Sequence, residues 1–182
     1  MDWFLLLVAG VLVLLIPTAY AGKIGAPYAP TRRASIRKTF EQLQIDADDV
    51  VVDLGAGDGS VVIEAARKGA QAYGYELSPI MFCIAWSRSL FQERARIRFG
   101  NFYKQSISDA TVVFVFLLPQ NMPRLKAYLA TQSIPAGRYC IAYAFPFQDM
   151  PALTTIREKR VLPMYVYDLQ ELTNSGAKTG KS

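Results

Sequence analysis

The sequence contains no histidine, and this absence excludes several kinds of active site. Without an imidazole there is no Ser-His-Asp or Cys-His catalysis, and zinc or non-haem iron would lack its commonest ligand. We therefore expect no metal site. The two cysteines, Cys83 and Cys140, are too few for a disulfide framework. Their apolar surroundings predict that both are reduced thiols in the core.

Charged residues are also scarce, at 19% of the chain, and the basic ones are unevenly placed. Residues 1–40 contain five Lys or Arg and one Asp, whereas residues 41–182 have a net charge of only +1. A nucleic-acid-binding domain would spread basic residues over a folded face. The net charge of +5 therefore indicates a basic segment near the N-terminus, and we expect no nucleic-acid partner.

The longest uncharged run comprises the 20 residues 3–22. As an α-helix this run would be roughly 30 Å long, the thickness of a bilayer core. We therefore expect a single-pass transmembrane anchor at residues 1–22, followed by a basic connector and helix at residues 23–45. The positive-inside rule then places the following domain on the cytoplasmic or organelle-interior side of the membrane.

Two other interpretations of the apolar run remain open. Ala19-Tyr20-Ala21 has the form of a signal-peptidase site, although no Lys or Arg precedes the run as in a secretory signal peptide. A buried core helix is the other alternative, but it would not explain the basic residues that follow.

From residue 46 onward, short apolar runs alternate with helical patterns. Strands are predicted at 50–54, 71–76, 96–99, 111–117, 138–145, 153–160 and 164–169, and helices at 32–43, 59–68, from 79 onward and at 121–131. Thr31 and Ser78 are the expected caps of the first and third of these helices, with Pro79 as a first helical residue. The pattern predicts an α/β domain over residues 46–173, with a doubly wound, mostly parallel seven-strand sheet and a C-terminal antiparallel hairpin. Residues 174–182 are expected to form a disordered tail.

Three alternating glycines, Gly55, Gly57 and Gly59, follow the first strand and precede a helix. Such a turn lets the backbone approach a ligand beside a helix N-terminus, at the carboxyl edge of a parallel sheet. The spacing is not that of a dinucleotide site, because Ser60 follows the third glycine. The carboxylate of Asp53 would also repel a phosphate and suits a ligand with a cationic amino-acid moiety.

Glu76 ends the second strand, 19 residues after Gly57. A carboxylate at this position can accept hydrogen bonds from both hydroxyls of a ribose. A ligand with a ribose and a positive charge but no phosphate points to S-adenosylmethionine. A tight turn beside an incidental glutamate is the alternative interpretation.

In these features the sequence resembles the Rossmann-like, seven-strand methyltransferases. The cofactor-binding residues that this resemblance implies are Asp53, Gly55, Ala56, Gly57, Glu76, Leu77, Asn101 and Phe102. Asp53, Gly55 and Gly57 would line the methionine part of the cofactor, and Glu76 would hold the ribose. Asn101, after the third strand, would reach the adenine at a position where many relatives carry Asp.

A narrower resemblance rests on several segments that occur in the same order in one family. They are PYAPT (27–31), YELSP (75–79), FLLPQNM (116–122), FPF (145–147) and YVYD (165–168). These segments resemble the membrane-anchored lysine methyltransferases whose mitochondrial members modify the adenine nucleotide translocase and the ATP-synthase c subunit, together with their bacterial relatives. The resemblance implies N-methylation of lysine side chains in a membrane-associated protein. A stiff linker at 27–30 and a simple strand exit at 145–147 remain alternatives.

Methyl transfer from a sulfonium requires above all that nucleophile and methyl be aligned. A lysine acceptor must lose a proton, and a desolvated apolar cleft would lower its pKa without any histidine. Pro119 and Gln120, at the end of the fourth strand, are the expected substrate-positioning residues, with Tyr28 as part of a lid. Two other functions remain open: methylation of a lipid, quinone or other small molecule, and a non-catalytic role as a cofactor-binding assembly protein.

Overall fold

The structure is a computed structural model that describes residues 3–24, 31–134 and 137–179. Its helices are α1 (Trp3–Ile24), α2 (Arg33–Gln42), α3 (Ser60–Arg67), α4 (Pro79–Ser89), α5 (Met122–Thr131) and α6 (Leu169–Thr179). Its strands are β1 (Val50–Leu54), β2 (Gln71–Glu76), β3 (Ala95–Phe99), β4 (Val112–Val115), β5 (Tyr139–Tyr143), β6 (Thr154–Ile156) and β7 (Met164–Asp168). Two short 3₁₀ helices lie at Phe102–Lys104 and Pro119–Asn121.

The seven strands form one sheet in the order β3-β2-β1-β4-β5-β7-β6. The first five strands in this order are parallel to one another, whereas β7 runs antiparallel to β5 and β6 antiparallel to β7. The predicted mostly parallel sheet with an antiparallel C-terminal hairpin is therefore confirmed. Because parallel strands end at the same edge, the loops that follow β1, β2, β4 and β5 come together there.

Helices cover both faces of the sheet, and successive strand residues alternate between them. Val51 packs with residues of α2, α3 and α4 on one face, while Val52 packs with residues of α5 and α6 on the other. Strands buried on both sides need apolar residues at every position. This explains why β4 is a continuous apolar run and why only Asp53 interrupts the apolar residues of β1.

The two predicted helix caps have different outcomes. At α4, the Ser78 hydroxyl accepts a hydrogen bond from the Met81 backbone N–H at 3.3 Å, and Pro79 begins the helix, as predicted. At α2, the predicted Thr31 cap is wrong, because the cap position is Arg32 and no side chain caps the helix. Burial of Ile36 and other apolar residues against the sheet stabilises α2 instead.

Helix α1 covers the apolar run and continues to Ile24, two residues beyond the predicted boundary at residue 22. It contacts α4, yet the side chains of Trp3 and Leu7 are 87% and 65% exposed. A buried core helix is therefore wrong. Across the described ranges, no helix is long and apolar enough to cross a membrane, so the structure does not support the predicted transmembrane anchor.

Two further expectations differ from the structure. Helix α6 continues to Thr179 and so enters the segment 174–182, for which a disordered tail is predicted; at its start Leu169 and Leu172 are fully buried against the core. Cys140 is buried as predicted, and burial raises the pKa of its thiol to about 12. Cys83 is also a free thiol, but it lies exposed on α4 rather than in the core.

Candidate functional site

The glycine turn after β1 is fixed to the neighbouring strand β2. The backbone N–H groups of Gly55 and Ala56 both donate to the carbonyl oxygen of Tyr75, at 3.1 and 2.9 Å. Gly55 has a φ of +119°, which a side chain would strain, and the space where its Cβ would stand is open. The turn therefore presents bare backbone to the solvent at the carboxyl edge of the sheet, where a ligand can approach closely.

The Glu76 carboxylate reaches this turn from the end of β2. Its Oε2 accepts the backbone N–H of Gly57 at 2.8 Å, and its Oε1 accepts the N–H of Ser78 at 2.7 Å. Burial raises the pKa of Glu76, and these backbone donors oppose the rise. Since a carboxylate can accept about four hydrogen bonds, each oxygen keeps capacity for a ligand hydroxyl.

Asp53 lies in β1 between Gly74 and Phe114 of the adjacent strands, and only 3% of its surface is exposed. Burial raises its pKa well above the usual range, and the nearby charges of Glu76 and Asp58 raise it further. A cationic ligand would relieve this clustering of negative charge. Among the residues that the structure describes, no group of three or more His, Cys, Asp or Glu could hold a metal ion.

Asp58 in the glycine turn forms contacts with both α3 and α4. The sequence analysis did not predict this role. The Asp58 carboxylate accepts the backbone N–H and the hydroxyl of Ser60, at 3.1 and 3.0 Å, at the start of α3. It also pairs with the guanidinium of Arg88 in α4. Nothing in the local sequence indicates this pair, because the two residues are 30 positions apart.

Gly74 is a second residue that the sequence analysis missed. A Cβ at this position would lie 2.7 Å from the Cβ of Ala56 and 2.8 Å from Cγ2 of Val62. The missing side chain therefore lets the glycine turn and α3 pack directly against β2. A glycine inside a strand signals such a close approach, and this signal was available in the sequence.

Asn101 follows β3 at the same edge of the sheet. The N–H of the preceding Gly100 donates to the Glu76 carbonyl oxygen at 2.9 Å, which places this turn beside the end of β2. The Asn101 Oδ1 accepts the N–H of Tyr103 at 3.0 Å and so starts a 3₁₀ helix. The side-chain amide N–H groups of Asn101 remain available as donors.

The remaining predicted cofactor residues occupy different surroundings. The ring of Phe102 is buried in the core, where its centroid lies 5.8 Å from that of Tyr128. Leu77 is half-buried between Glu76 and the first turn of α4. The structure therefore brings Asp53 and the glycine turn to the edge with Leu77, while the ring of Phe102 packs inside the protein.

The predicted substrate-positioning residues Pro119 and Gln120 lie in the 3₁₀ helix after β4, where Gln120 is exposed. They belong to the same sheet edge as the glycine turn, because Val115 of β4 is paired with Leu54 of β1. Tyr28, the third predicted residue, lies outside the described residues.

Three aromatic rings pack together at the ends of β4 and β5. The Phe116 and Phe145 rings have centroids 6.4 Å apart and planes within 12° of parallel. Tyr143 meets Phe116 nearly edge-on, with centroids 5.1 Å apart. Phe116 and Phe145 are partly exposed, whereas Tyr143 is buried. We call these three rings the aromatic wall. In the sequence, Phe116 begins the FLLPQNM segment and Phe145 begins the FPF segment.

The loop that carries Phe145 is held from two sides. The backbone N–H of Phe147 donates to the Tyr167 hydroxyl of β7 at 2.9 Å. The Lys126 Nζ of α5 lies 2.6 Å from Oδ2 of Asp149, and this contact lowers the pKa of the Asp149 carboxyl. Both contacts fix the loop after β5 relative to the sheet and α5.

Comparison with known proteins places these features in one family. Residues 53–154 match the family described as the ANTKMT methyltransferase domain. The lysine N-methyltransferase of the ATP synthase c-subunit from Xenopus laevis is 35% identical over 131 residues, which are 70% of this chain and 57% of that protein. A protein-lysine N-methyltransferase of Saccharolobus islandicus is 36% identical over 117 residues, covering 62% of this chain and 73% of that protein. The chain thus spans little more than half of the Xenopus relative.

Solved structures are similar to the same region. An RNA methyltransferase from Salinibacter ruber, in complex with S-adenosyl-L-homocysteine, has a TM-score of 0.72 and 29% identity. The match covers 78% of this chain and 94% of that chain. An S-adenosylmethionine-dependent O-methyltransferase from Thermotoga maritima has a TM-score of 0.56 at 12% identity, and this match shows the fold alone.

Proposed function

Because the chain belongs to the ANTKMT methyltransferase domain family, we propose that it is an S-adenosylmethionine-dependent protein-lysine N-methyltransferase. The observation that carries this proposal is the pair of buried carboxylates, Asp53 and Glu76, at an open glycine turn. Their negative charge suits a cofactor that carries a sulfonium and an ammonium group. The lysine acceptor is supported by the names of the Xenopus and Saccharolobus relatives.

Each described group at the edge has a place in this proposal. The backbone of Gly55–Gly57 and the Asp53 carboxylate would hold the methionine part, and Glu76 would accept from the ribose hydroxyls. Asn101 would donate its amide N–H to a ring nitrogen of the adenine. The cofactor supplies an electrophilic methyl group on sulfur. The protein aligns the acceptor with that methyl and excludes water from it.

The chain lacks histidine, so no imidazole is available as a general base for the acceptor. Pro119 and Gln120 would position the acceptor, and the aromatic wall would surround its amine with apolar surface. Removal of an amine from water lowers its pKa, so the neutral nucleophilic form becomes more populated. The proton then passes to water as the amine enters the site.

We also propose that the acceptor is a membrane protein and that α1 holds the domain at a membrane. The exposed apolar side chains of α1, such as Trp3 and Leu7, support this proposal because water would not favour them. The name of the Xenopus relative, which refers to the c-subunit of the ATP synthase, supports it too. Location on the cytoplasmic or organelle-interior side stays a prediction from the basic residues of the sequence.

The proposal is tested with methyl-labelled S-adenosylmethionine, the purified protein and membranes from cells that lack it. The expected result is label on a discrete protein band that survives lipid extraction and yields methyl-lysine on hydrolysis. Glu76→Ala should abolish the labelling, whereas Glu93→Ala, which changes an exposed carboxylate far from the glycine turn, should not.

Other outcomes would contradict the proposal in different ways. Label that enters the organic phase would indicate a lipid or quinone acceptor, and label on RNA would indicate the activity named for the Salinibacter structure. Cofactor binding without transfer to any fraction would indicate a binding protein that lacks catalysis.

A further inference from the structure

Helix α4 is apolar on nearly all sides but is poorly covered by the rest of the domain. Residues 79–86 are all uncharged, yet only two of the eleven residues of α4 are fully buried. Trp86 is 49% exposed, and Leu90 and Phe91, just after the helix, are 58% and 89% exposed. A helix that is apolar all round normally lies inside a core or against lipid. Something outside the domain is therefore expected to cover α4.

The exposed apolar residues of this region lie on one side of the helix. Positions 83, 86, 87 and 90 follow one another at the three- and four-residue spacing of a single helix face. The Phe99 ring at the end of β3 meets the Phe82 ring of α4 nearly edge-on, with centroids 5.5 Å apart, and so extends this surface. Outside α1 and this region, the large apolar side chains that the described residues expose are those of Leu153 and Leu162. We define the α4 patch as Ile84, Trp86, Leu90, Phe91 and Phe99.

The opposite side of α4 is fixed to the glycine turn. A Cβ on Gly59 would lie 3.1 Å from the Cβ of Ala85, so the turn and the helix are in direct contact. The guanidinium of Arg88 pairs with the Asp58 carboxylate in the same turn. Whatever binds the α4 patch therefore also sets the position of the proposed cofactor site.

The α4 patch is continuous with α1, which we have proposed to hold the domain at a membrane. Helix α1 contacts α4, and the Ser78 hydroxyl at the start of α4 donates to the Thr18 hydroxyl at 3.2 Å. The apolar side chains of α1 are themselves exposed, as at Trp3. A lipid surface that covers α1 would thus meet α4 as well.

The charges beside the α4 patch favour a lipid surface over a second copy of the chain. Residues 79–99 contain four arginines and one glutamate, a net charge of +3. Arg94, Arg96 and Arg98 are all exposed on or beside the edge strand β3. Two copies that met through this surface would bring like charges together. A bilayer with anionic headgroups instead offers acyl chains to the rings and negative charge to the arginines.

We propose that the α4 patch rests on an anionic lipid bilayer, with Trp86 and Phe91 between the headgroups and the acyl chains. This inference rests on the proposed membrane location of the domain. Helix α4 then lies in the plane of the membrane surface, as interfacial helices do. Because α4 is fixed to Asp58 and Gly59, the contact holds the glycine turn close to the bilayer, where a lysine of a membrane protein can reach it.

The first test uses Trp86 as a reporter in the full chain. The chain contains two tryptophans, so Trp3→Phe leaves Trp86 as the sole indole. This variant is transferred from detergent into vesicles of phosphatidylcholine and phosphatidylglycerol. The Trp86 emission should shift to shorter wavelength. Lipids brominated near the headgroup should quench it more than lipids brominated deep in the acyl chains, because interfacial helices enter only about 5–10 Å.

A matched pair of variants locates the contact. Added to Trp3→Phe, Leu90→Gln with Phe91→Gln should abolish the quenching, whereas Leu153→Gln should keep it, since Leu153 is 59% exposed, as Leu90 nearly is. If the protein floats with the vesicles but Trp86 is not quenched, α1 alone holds it and the inference is overturned. A wavelength shift without quenching would mean that protein rather than lipid covers the patch, which also overturns it.

The second test uses the exposed thiol of Cys83, which lies on the same side of α4 as Trp86. Cys140 is buried, so a charged maleimide should react at Cys83 alone. Vesicles that contain phosphatidylglycerol should slow this reaction several-fold in the parent and in Leu153→Gln, and much less in Leu90→Gln with Phe91→Gln. An equal rate with and without vesicles in the parent would contradict the contact.

The labelling experiment separates this inference from the proposed function. Leu90→Gln with Phe91→Gln should lower methyl transfer to the membrane protein while calorimetry finds unchanged affinity for S-adenosylmethionine. If no variant methylates a protein although Trp86 is quenched by lipid, the proposed lysine acceptor fails and the membrane contact of α4 stands. If labelling is normal and Trp86 is not quenched, the contact fails and the proposed methyltransferase stands.

Discussion

The two halves of the sheet edge are built from opposite chemistry. On the side of β1–β3, the site consists of carboxylates and backbone N–H groups, with Glu76 bonded to the glycine turn. On the side of β4 and β5, aromatic rings that pack against one another follow the strands. The first half suits a ligand with fixed polar groups, and the second suits an apolar chain that ends in an amine.

The two halves also differ in the contacts that fix their loops in position. Apart from the pair of Asp58 with Arg88 of α4, the hydrogen bonds of the glycine turn connect elements of one βαβ unit. They position donors and acceptors for a ligand of constant shape. The loop after β5 depends on Tyr167 and Lys126, which come from other parts of the chain. Changes in the first half should therefore affect cofactor affinity, and changes in the second should affect the acceptor.

The largest effect is expected from Glu76→Ala. The change removes the acceptor of two backbone N–H groups together with the proposed ribose acceptor. Because hydrogen bonds to charged groups contribute about 1.5–3 kcal/mol each, affinity for S-adenosylmethionine should fall at least about a hundredfold. Calorimetry measures it, with Glu93→Ala as the control. Near-normal affinity in Glu76→Ala would remove the basis for assigning the cofactor to this half.

Gly74→Ala should be the next most severe change. Its Cβ would clash with Ala56 and Val62, so the turn and α3 must move away from β2. We expect a loss of about 1–3 kcal/mol in the free energy of unfolding, with weaker cofactor binding. Urea denaturation measures the stability. Gly10→Ala, in α1 where a Cβ meets nothing within 4 Å, is the matched control. Equal stability of the two variants would show that the close packing on β2 is unimportant.

Asp53→Asn should separate stability from affinity. The pKa of the Asp53 carboxyl is raised in the folded protein, so the folded state binds a proton at Asp53 more tightly than the unfolded state does. Without cofactor, the protein therefore loses stability as the pH rises towards the pKa of the folded state. The variant should therefore be more stable than the parent above that pH, while its cofactor affinity falls about tenfold from the lost charge. Thermal unfolding and calorimetry across pH measure both quantities.

The parent should also lose cofactor affinity as pH falls and the two raised carboxyl groups become protonated. Asp53→Asn should show a smaller pH dependence, and Asp109→Asn, which changes an exposed carboxylate, should behave as the parent does. An Asp53→Asn variant that remains less stable than the parent above the folded pKa would contradict the assigned cause of the pKa shift.

The smallest effect is expected from Tyr167→Phe in the other half. Loss of the hydroxyl leaves the Phe147 N–H without its partner, which should cost about 1 kcal/mol of stability. The KM for the acceptor should rise while cofactor affinity stays constant. Steady-state kinetics and calorimetry measure these, with Tyr165→Phe as the same change two positions earlier in β7. A change in cofactor affinity alone would contradict the division into two halves.

The elements predicted from sequence were those set by neighbouring residues. β2 lies at residues 71–76 as predicted, and Ser78 and Pro79 begin α4 as expected. The prediction for α2 located the helix but gave the wrong cap, because buried Ile36 rather than a side-chain oxygen stabilises it. The α6 helix was missed because its polar sequence forms a helix only where Leu169 and Leu172 pack on the core.

The sequence by itself determined the class of fold, and it predicted the residues of the proposed cofactor half. Glycine spacing, a strand-end carboxylate and strand–helix alternation all depend on residues close together in the chain, so a local pattern records them. Only the tertiary structure decided that Arg88 pairs with Asp58 and that the glycine turn packs directly against Gly74. It also decided that three aromatic rings come together at the ends of β4 and β5. These contacts join residues that are far apart in sequence, and the register and packing of the sheet determine which of them meet.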